Sequence, residues 1–585
     1  MAPFENLSKL VQDPRGMTYG KATALAGGAI AIAWYILHRR DTSVPPTHDI
    51  RADVGTTQQV DTNRYQQHRQ PQPTTFIRRL ARWWFKVWHS TQVELHGQYS
   101  IEHLHALHVY VNRTHWLHVA LVCLLTPIPA IAFVILLDLI PLEPPENGPD
   151  AIGTWGRLIC TAAIVSTSIL YQFRSNAPWM QLTHSFMWTV GLLAAVLAIL
   201  FLWQLARVVG FPIPFVLIAG APSVTAVIVV AVTWTRRDQI RRRSNVSRDL
   251  LPYANVFVCQ TFMTIIYPVY NHIFATLPST QQTAFVLLQP IIKIACKFWI
   301  YRSIRDSRDA SPEVIIFNVE VFHALYVANC MQSSTSMRTV LVLVLVDFIH
   351  ACISWWDVRT LLAELKEKSA KLLASTGKAS TIATSHIELL KVAVEIIEAD
   401  PIAFPIGPRL QSHTPQTIVP EPNAVKPVGP KAPPSQLHRL DVDERHDFVD
   451  TVQRILYLTE FVVLIEYTEV IMPVIYCAYT AILSERPNHK YYQFLDGLAS
   501  SSLVPMLTNI SVYISTEFVS LVLMALVLWW QLRFSLVHQL AYNLESRQDH
   551  VHAKLVGWAV YIVHNALVQS GADFSFQFEW LRNKG

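Results

Sequence analysis

An all-helical protein threaded repeatedly through a lipid bilayer is the fold class this sequence predicts, and three observations carry it. The chain of 585 residues is 51% hydrophobic and only 15% charged, where soluble domains carry about a quarter charged residues. Its apolar residues gather in uninterrupted runs of about 20, the length a helix needs to cross the hydrocarbon core. Its arginines and lysines gather between those runs. An ordinary soluble enzyme is excluded by this composition. The net charge of +5 is too small to argue for a nucleic-acid partner, and none is expected.

The runs come in order. A short one, residues 22–37, is a weak anchor at the minimum spanning length. Clear spans follow at Trp116–Ile140, Ile152–Tyr171, Leu182–Ala206, Phe211–Trp234, Tyr253–Leu277, Ala284–Ile300, Val314–Met331, Thr339–Trp356, Phe461–Leu483 and Val504–Gln531. In hydrocarbon every backbone N–H and C=O must be paired internally, which a helix achieves within one segment. The expectation is therefore a polytopic bundle of about ten transmembrane helices, eleven if 22–37 spans. The 116–356 region holds eight of them (nine counting 22–37), and 441–532 holds the last two.

Orientation follows from the basic loops. Arg236, Arg237, Arg241, Arg242, Arg243 and Arg248 follow one run, and Arg302, Arg305 and Arg308 another. Both loops read as cytoplasmic. Residues 141–153 carry Glu143, Glu146 and Asp150 without a base and read as outside. One alternation satisfies every strong loop and puts 357–458 and the C-terminus in the cytoplasm. It leaves the identity of the membrane open.

The remaining parts are polar or amphipathic. Within the N-terminal 1–115 region, residues 41–75 have the Gln/Pro/Thr-rich composition of disorder. In 76–89, FIRRLARWWFKVWH, Arg78, Arg82 and Lys86 share a helical face, with Arg79 beside them. That pattern suits a helix lying against anionic lipid headgroups, or one packed on the protein's own base. Residues 357–400 read as a pair of amphipathic helices. Residues 401–440 form a linker, with ten prolines between Pro401 and Pro434, extended by composition. A partner protein at 357–440 is one reading of this region. The 533–585 tail contains Lys554–Val568, apolar but fifteen residues long, and reads as interfacial or docked. Histidines His89, His96, His103, His105, His108, His115 and His118 read as surface groups at headgroup level. The seven cysteines form no CxxC pair, which argues against a zinc ribbon or redox motif.

Ionisable groups inside the runs are the candidates for function. The first four clear spans read as nearly free of them. The later ones contain Lys293 and Lys297; Glu320 and His323; Asp347 and His350; Glu466 and Glu469; and Glu517. A charge at membrane depth costs about 2.5–3.5 kcal/mol on insertion scales, so these groups must be paired or used. Three readings stay open. Lys293, Glu320, His323, Asp347, His350, Glu466, Glu469 and Glu517 can relay protons or ions. They can instead be static pairs, Glu320–Lys293 and Asp347–His350 among them. Or Glu320, His323, Asp347, His350, Glu466 and Glu517 can hold a divalent metal, since carboxylate-x-x-His on two helices plus carboxylates from two others is the recipe of a di-metal bundle. No phosphate cradle, nucleophile elbow or HExxH motif occurs, so no cofactor is implied beyond that metal.

The segments FNVEVFHALYVANCMQS, VDFIHACISWWDV, VHQLAYNLE and GADFSFQFEWL resemble parts of a large oomycete family of multi-pass membrane proteins, over about the last half of the chain. The resemblance implies a polytopic fold and carries no activity. The function expected from the residues is transport or conduction of a small solute or ion. A non-catalytic receptor or scaffold working through 357–458 is the alternative, and a membrane metalloenzyme the third.

Overall fold

The computed structural model describes residues 92–304, 311–333, 355–364, 389–400, 442–493, 500–532 and 534–572, with isolated positions at 342, 345, 349, 352–353, 367, 404 and 495. The chain divides at Thr75/Phe76, and every described residue belongs to the second unit. The 22–37 run, the 41–75 and 76–89 segments, most of 339–388, the proline-rich linker and the final FSFQFEWL lie outside the described residues.

The described residues form helices and no strand. They are α1 (Ile101–Arg113), α2 (Trp116–Leu125), α3 (Ile128–Asp138), α4 (Ile152–Asn176), α5 (His184–Val209), α6 (Val216–Thr235), α7 (Val246–Thr276), α8 (Leu288–Ile304), α9 (Ser311–Ser333), α10 (Leu389–Ala399), α11 (Val442–Ser484), α12 (Ser500–Leu532), α13 (Leu536–Ser546) and α14 (Gln548–Asn565), with short helices at Arg237–Arg241 and Ser279–Phe285. Local chemistry sets several starts. The Ser100 hydroxyl accepts from His103 N at 3.1 Å and Thr183 from Phe186 N at 3.3 Å, capping orphan amides of the first turn. Proline at Pro127 ends α2 and starts α3, so the first clear run bends there. Pro473 sits inside α11, which continues through it.

Seven stretches among the described residues are long and apolar enough to cross a membrane: α2 with α3, α4, α5, α6, α7, most of α11, and α12. The expectation of helices apolar enough to cross a membrane is met; seven are counted among the described residues, where about ten were expected over the whole chain. The other runs differ for physical reasons. The 284–300 run is α8, only 17 residues long. The 314–331 run is α9, whose residues Pro312–Ala328 are all buried in protein. A helix that is apolar all round and wrapped on all sides can carry Asn318, Glu320 and His323, because its neighbours, and not lipid, solvate it. Leu124, Val230, Leu523 and Trp530 lie on the outside, each more than half exposed. Apolar surface this extensive belongs against lipid.

The tail docks more deeply than an interfacial helix. On α14, Asp549 lies 3.9 Å from Arg174, Gly557 abuts Ser168, and His564 Nδ1 meets Thr161 Oγ1 at 3.1 Å. These three contacts run antiparallel along α4 from its C-terminal end towards its start. Gln569 Nε2 then donates to Glu143 O at 3.0 Å and Phe215 N to Gly571 O at 3.0 Å. Eighteen residues extend about 27 Å as a helix, close to the core thickness of about 30 Å. Small residues permit this: a Cβ on Gly191 of α5 would meet Thr167 at 2.2 Å, and one on Gly557 would meet Ser168 at 3.1 Å. Close backbone approach of this kind is how membrane helices associate.

The described half of the amphipathic pair, α10, buries Leu390, Ala393, Val394, Ile396 and Ile397 in the main core. Its apolar face is covered by the chain's own α1 and α11.

Candidate functional site

Three helices bring the sequence-predicted charges to one place. Lys293 and Lys297 are one turn apart on α8, Glu320 faces them from the enclosed α9, and Glu466 and Glu469 face them from α11. Lys293 Nζ lies 2.9 Å from Glu320 Oε2 and donates to Glu469 Oε1 at 3.3 Å. Lys297 Nζ contacts the other oxygen, Glu320 Oε1, and sits 5.6 Å from the Phe461 ring centroid. Glu320 is fully buried and the two lysines nearly so. His323, one turn beyond Glu320, meets the Tyr267 hydroxyl from α7 at Nδ1, 3.2 Å away. Glu466 is buried with Ser520 of α12 beside it. Its Oε2 finds no hydrogen-bond partner among the described residues.

The arrangement is uneven in charge. Among the described residues two lysines meet three carboxylates, the buried Glu320 and Glu466 and the largely buried Glu469. An uncompensated buried charge is costly, so the cluster calls for one more positive charge. A proton on Glu466 or His323, or a bound cation, supplies it. Lys293 bridges two carboxylates on different helices, so it can follow either one.

The Glu320–Lys293 pair stands where the sequence placed it. Glu517 is buried on α12. Asp347, His350, Arg78, Arg79, Arg82 and Lys86 lie outside the described residues. Among the described residues no group of three or more His, Cys, Asp or Glu is placed to hold a metal ion, and Glu320 is already neutralised by two lysines.

Sequence reasoning missed a second cluster, and the expectation that the first four spans are nearly free of ionisable groups is corrected by it. Asp138 ends α3 and Arg157 sits in the second turn of α4, both buried, 3.2 Å apart. The Tyr492 hydroxyl donates to Asp138 Oδ1 at 2.8 Å and Arg157 donates to the Tyr492 oxygen. Asn488 Nδ2 donates to the carbonyls of Asp138 at 2.8 Å and Ile140 at 3.0 Å, while its Oδ1 accepts from Leu142 N at 3.0 Å. This cluster ties the α3–α4 loop to the residues after α11. A cleft beside it is lined by Thr154, Trp155, Phe211, His564 and Gln569.

A third cluster lies at the base formed by α1, α11 and α13. Glu460 takes the Tyr99 hydroxyl and has His103 Nε2 at 3.7 Å. Gln539 Nε2 donates to the Tyr99 oxygen at 2.9 Å, and Thr459 donates to Gln539 Oε1 at 3.1 Å. Nearby, Glu545 accepts from the Tyr110 hydroxyl at 2.8 Å and has His118 Nε2 at 3.0 Å. Burial, reinforced by Glu545, pushes the Tyr110 hydroxyl well above its usual range. The histidines read as surface groups thus include several that contact this chain: His105 meets Glu398 at 3.5 Å and His108 meets Asn112 at 3.0 Å.

No protein-family model, curated protein or solved structure matches this chain.

Proposed function

We propose that the protein is an integral membrane transporter or conductor of protons or small cations, working through Lys293, Glu320, His323, Glu466 and Glu469. The observation that carries this reading is the charge imbalance among the described residues: three carboxylates around two lysines, with Lys293 shared between Glu320 and Glu469. Carboxylates and neutral imidazole exchange protons when burial brings their affinities together. A proton or cation held at Glu466 is released when Lys293 swings fully to Glu469. Glu320, gripped by two lysines, anchors the site, and the α11 carboxylates form its exchanging side.

The Arg236–Arg248 end is the cytoplasmic one in this reading. The helix α14 then carries the chain from that end to the opposite one, where Gly571 lies. The segments resembling the oomycete-type family include most of α9 and α13, the helices that hold Glu320 and cover the base. Membership of that family is supported by those residues alone. The scaffold alternative loses support from α10, whose apolar face is already covered.

The test is flux in sealed proteoliposomes carrying a pH-sensitive dye. Wild-type protein is expected to pass protons or monovalent cations under an imposed gradient, and Glu469→Gln to reduce that flux at least tenfold. Flux no greater than that of protein-free vesicles removes the proposal.

A further inference from the structure

One end of the bundle carries an excess of arginine that the relay does not use. Between Arg236 and Asp249 six arginines face two aspartates. The short helix Arg237–Arg241 rests beside the turn Pro178–Met180 that joins α4 to α5. Arg243 binds Asp249 at 2.8 Å and stacks over Trp179, 4.8 Å from its ring centroid. Arg236 lies over the Phe186 ring at 5.3 Å. It is half-buried; its Nε is shielded from solvent and has no acceptor among the described residues, so its terminal nitrogens are the ones a ligand would reach. Arg237, Arg241, Arg242 and Arg248 are exposed. The same end carries large exposed apolar side chains: Trp234, two residues before Arg236, at 81%, Leu251, three after Arg248, at 61%, and Trp188, two after Phe186, at 43%.

This juxtaposition has the chemistry of a phospholipid at both ends. Guanidinium donors in a planar fork fit phosphate oxygens. Tryptophans at the same level sit where headgroup meets acyl chain. An aromatic face under each of Arg236 and Arg243 fixes the guanidinium and lowers the entropy lost on binding. We propose that this end holds the phosphate of an anionic phospholipid, with Arg236 as the specific donor, Arg241 and Arg242 adding attraction, and the acyl chains running along Trp188, Trp234 and Leu251. The proposal rests on the membrane reading of the fold and is independent of the relay. It differs from diffuse attraction to a charged leaflet because it names one guanidinium held over an aromatic ring.

The experiment measures thermal unfolding of the purified full chain in neutral detergent with added dioleoyl phosphatidylglycerol, dioleoyl phosphatidylcholine or inorganic phosphate. Phosphatidylglycerol is expected to raise the unfolding temperature by several degrees. Phosphatidylcholine and inorganic phosphate are expected to leave it unchanged. In Arg236→Gln more than half of the shift should disappear, and in the exposed double variant R241Q/R242Q it should shrink. If Arg236→Gln does not fold, Arg236→Lys keeps the charge and loses the fork, and should also lose most of the shift. At about 1 M salt, where screening acts over about 3 Å, the wild-type shift should shrink without vanishing. Equal shifts with both lipids overturn the proposal, as does a shift reproduced by inorganic phosphate alone. An undiminished shift in the Arg236 variants overturns it equally. A flux defect in the relay variants with an intact lipid shift would separate the two sites.

Discussion

Replacing Glu320 by Gln tests whether the buried network is built as described. The side chain is fully buried and both lysines are less than a tenth exposed. Removing one partner of a buried ion pair costs about 3–5 kcal/mol, because the remaining charge stays in a poor solvent. Lys293 keeps Glu469 at 3.3 Å, whereas Lys297 has no further carboxylate within ion-pair distance among the described residues and keeps the Phe461 ring and the more distant Glu469. The cost therefore falls chiefly on Lys297. Glu320→Gln should lose about 3–5 kcal/mol, at the scale of breaking a buried pair. Glu469→Gln should lose less, about 1.5–3 kcal/mol for one charged hydrogen bond, since Lys293 retains Glu320. The double variant K297M/E320Q should recover much of the loss by removing the stranded ammonium. Reversible unfolding in mixed micelles with increasing dodecyl sulfate, followed by tryptophan fluorescence, gives these differences. The reasoning fails if Glu320→Gln lies within about 0.5 kcal/mol of wild type, the range of an ordinary surface change. It also fails if Lys297→Met gives no recovery.

Three further outcomes follow from other parts of the molecule. Arg157→Met and Asp138→Asn each leave one member of the buried pair without its counter-charge, and each should cost about 3–5 kcal/mol in the same unfolding assay. Burial, then the nearby Glu94, push the Asp357 carboxyl up to about 7 from an ordinary 3.8. The folded state thus favours the protonated acid, so the penalty is absent at low pH, grows above the unfolded value and is complete above the folded one; Asp357→Asn should raise the unfolding temperature at about pH 8 and leave it unchanged at about pH 3.5, and the reverse order would refute the assignment. Single cysteines at Ser244→Cys and Ala572→Cys, in a background without exposed cysteines, should react with a membrane-impermeant maleimide from opposite sides of sealed vesicles; labelling from one side would refute the path drawn for α14.

What the sequence made legible was local. Glu320 and His323, or Lys293 and Lys297, announce a shared helical face by their spacing, and an apolar run around them makes any charge conspicuous. The Glu320–Lys293 pairing followed from cost alone, because two opposite charges at membrane depth seek each other. Asp138 and Arg157 escaped for the opposite reason. Each sits near the end of its run, and the residues that complete their cluster, Asn488 and Tyr492, lie 350 and 335 positions away in sequence from Asp138 and Arg157. No periodicity reports a pairing over that distance. The α14 segment reads as docked, and not as a span, because span detection assumes lipid as the surrounding solvent. Lys554, His550 and His564 shorten its apolar run, yet Lys554 is buried against Asn318 of α9 and His550 lies 3.2 Å from Glu313. A helix enclosed by other helices can hold polar groups that a lipid-facing one cannot. The same principle explains α9, whose polar side chains sit in the most enclosed helix of the bundle.

The relay itself is tested most directly by proton and cation flux in proteoliposomes with wild type, Glu469→Gln and Glu466→Gln measured side by side, each first shown to be folded by its unfolding curve. Wild type should conduct, and both variants should fall at least tenfold, because the exchanging side of the network has lost a carboxylate. Folded variants that conduct as wild type does, or a wild type indistinguishable from empty vesicles, would contradict a relay and leave the lysines and glutamates as static pairs.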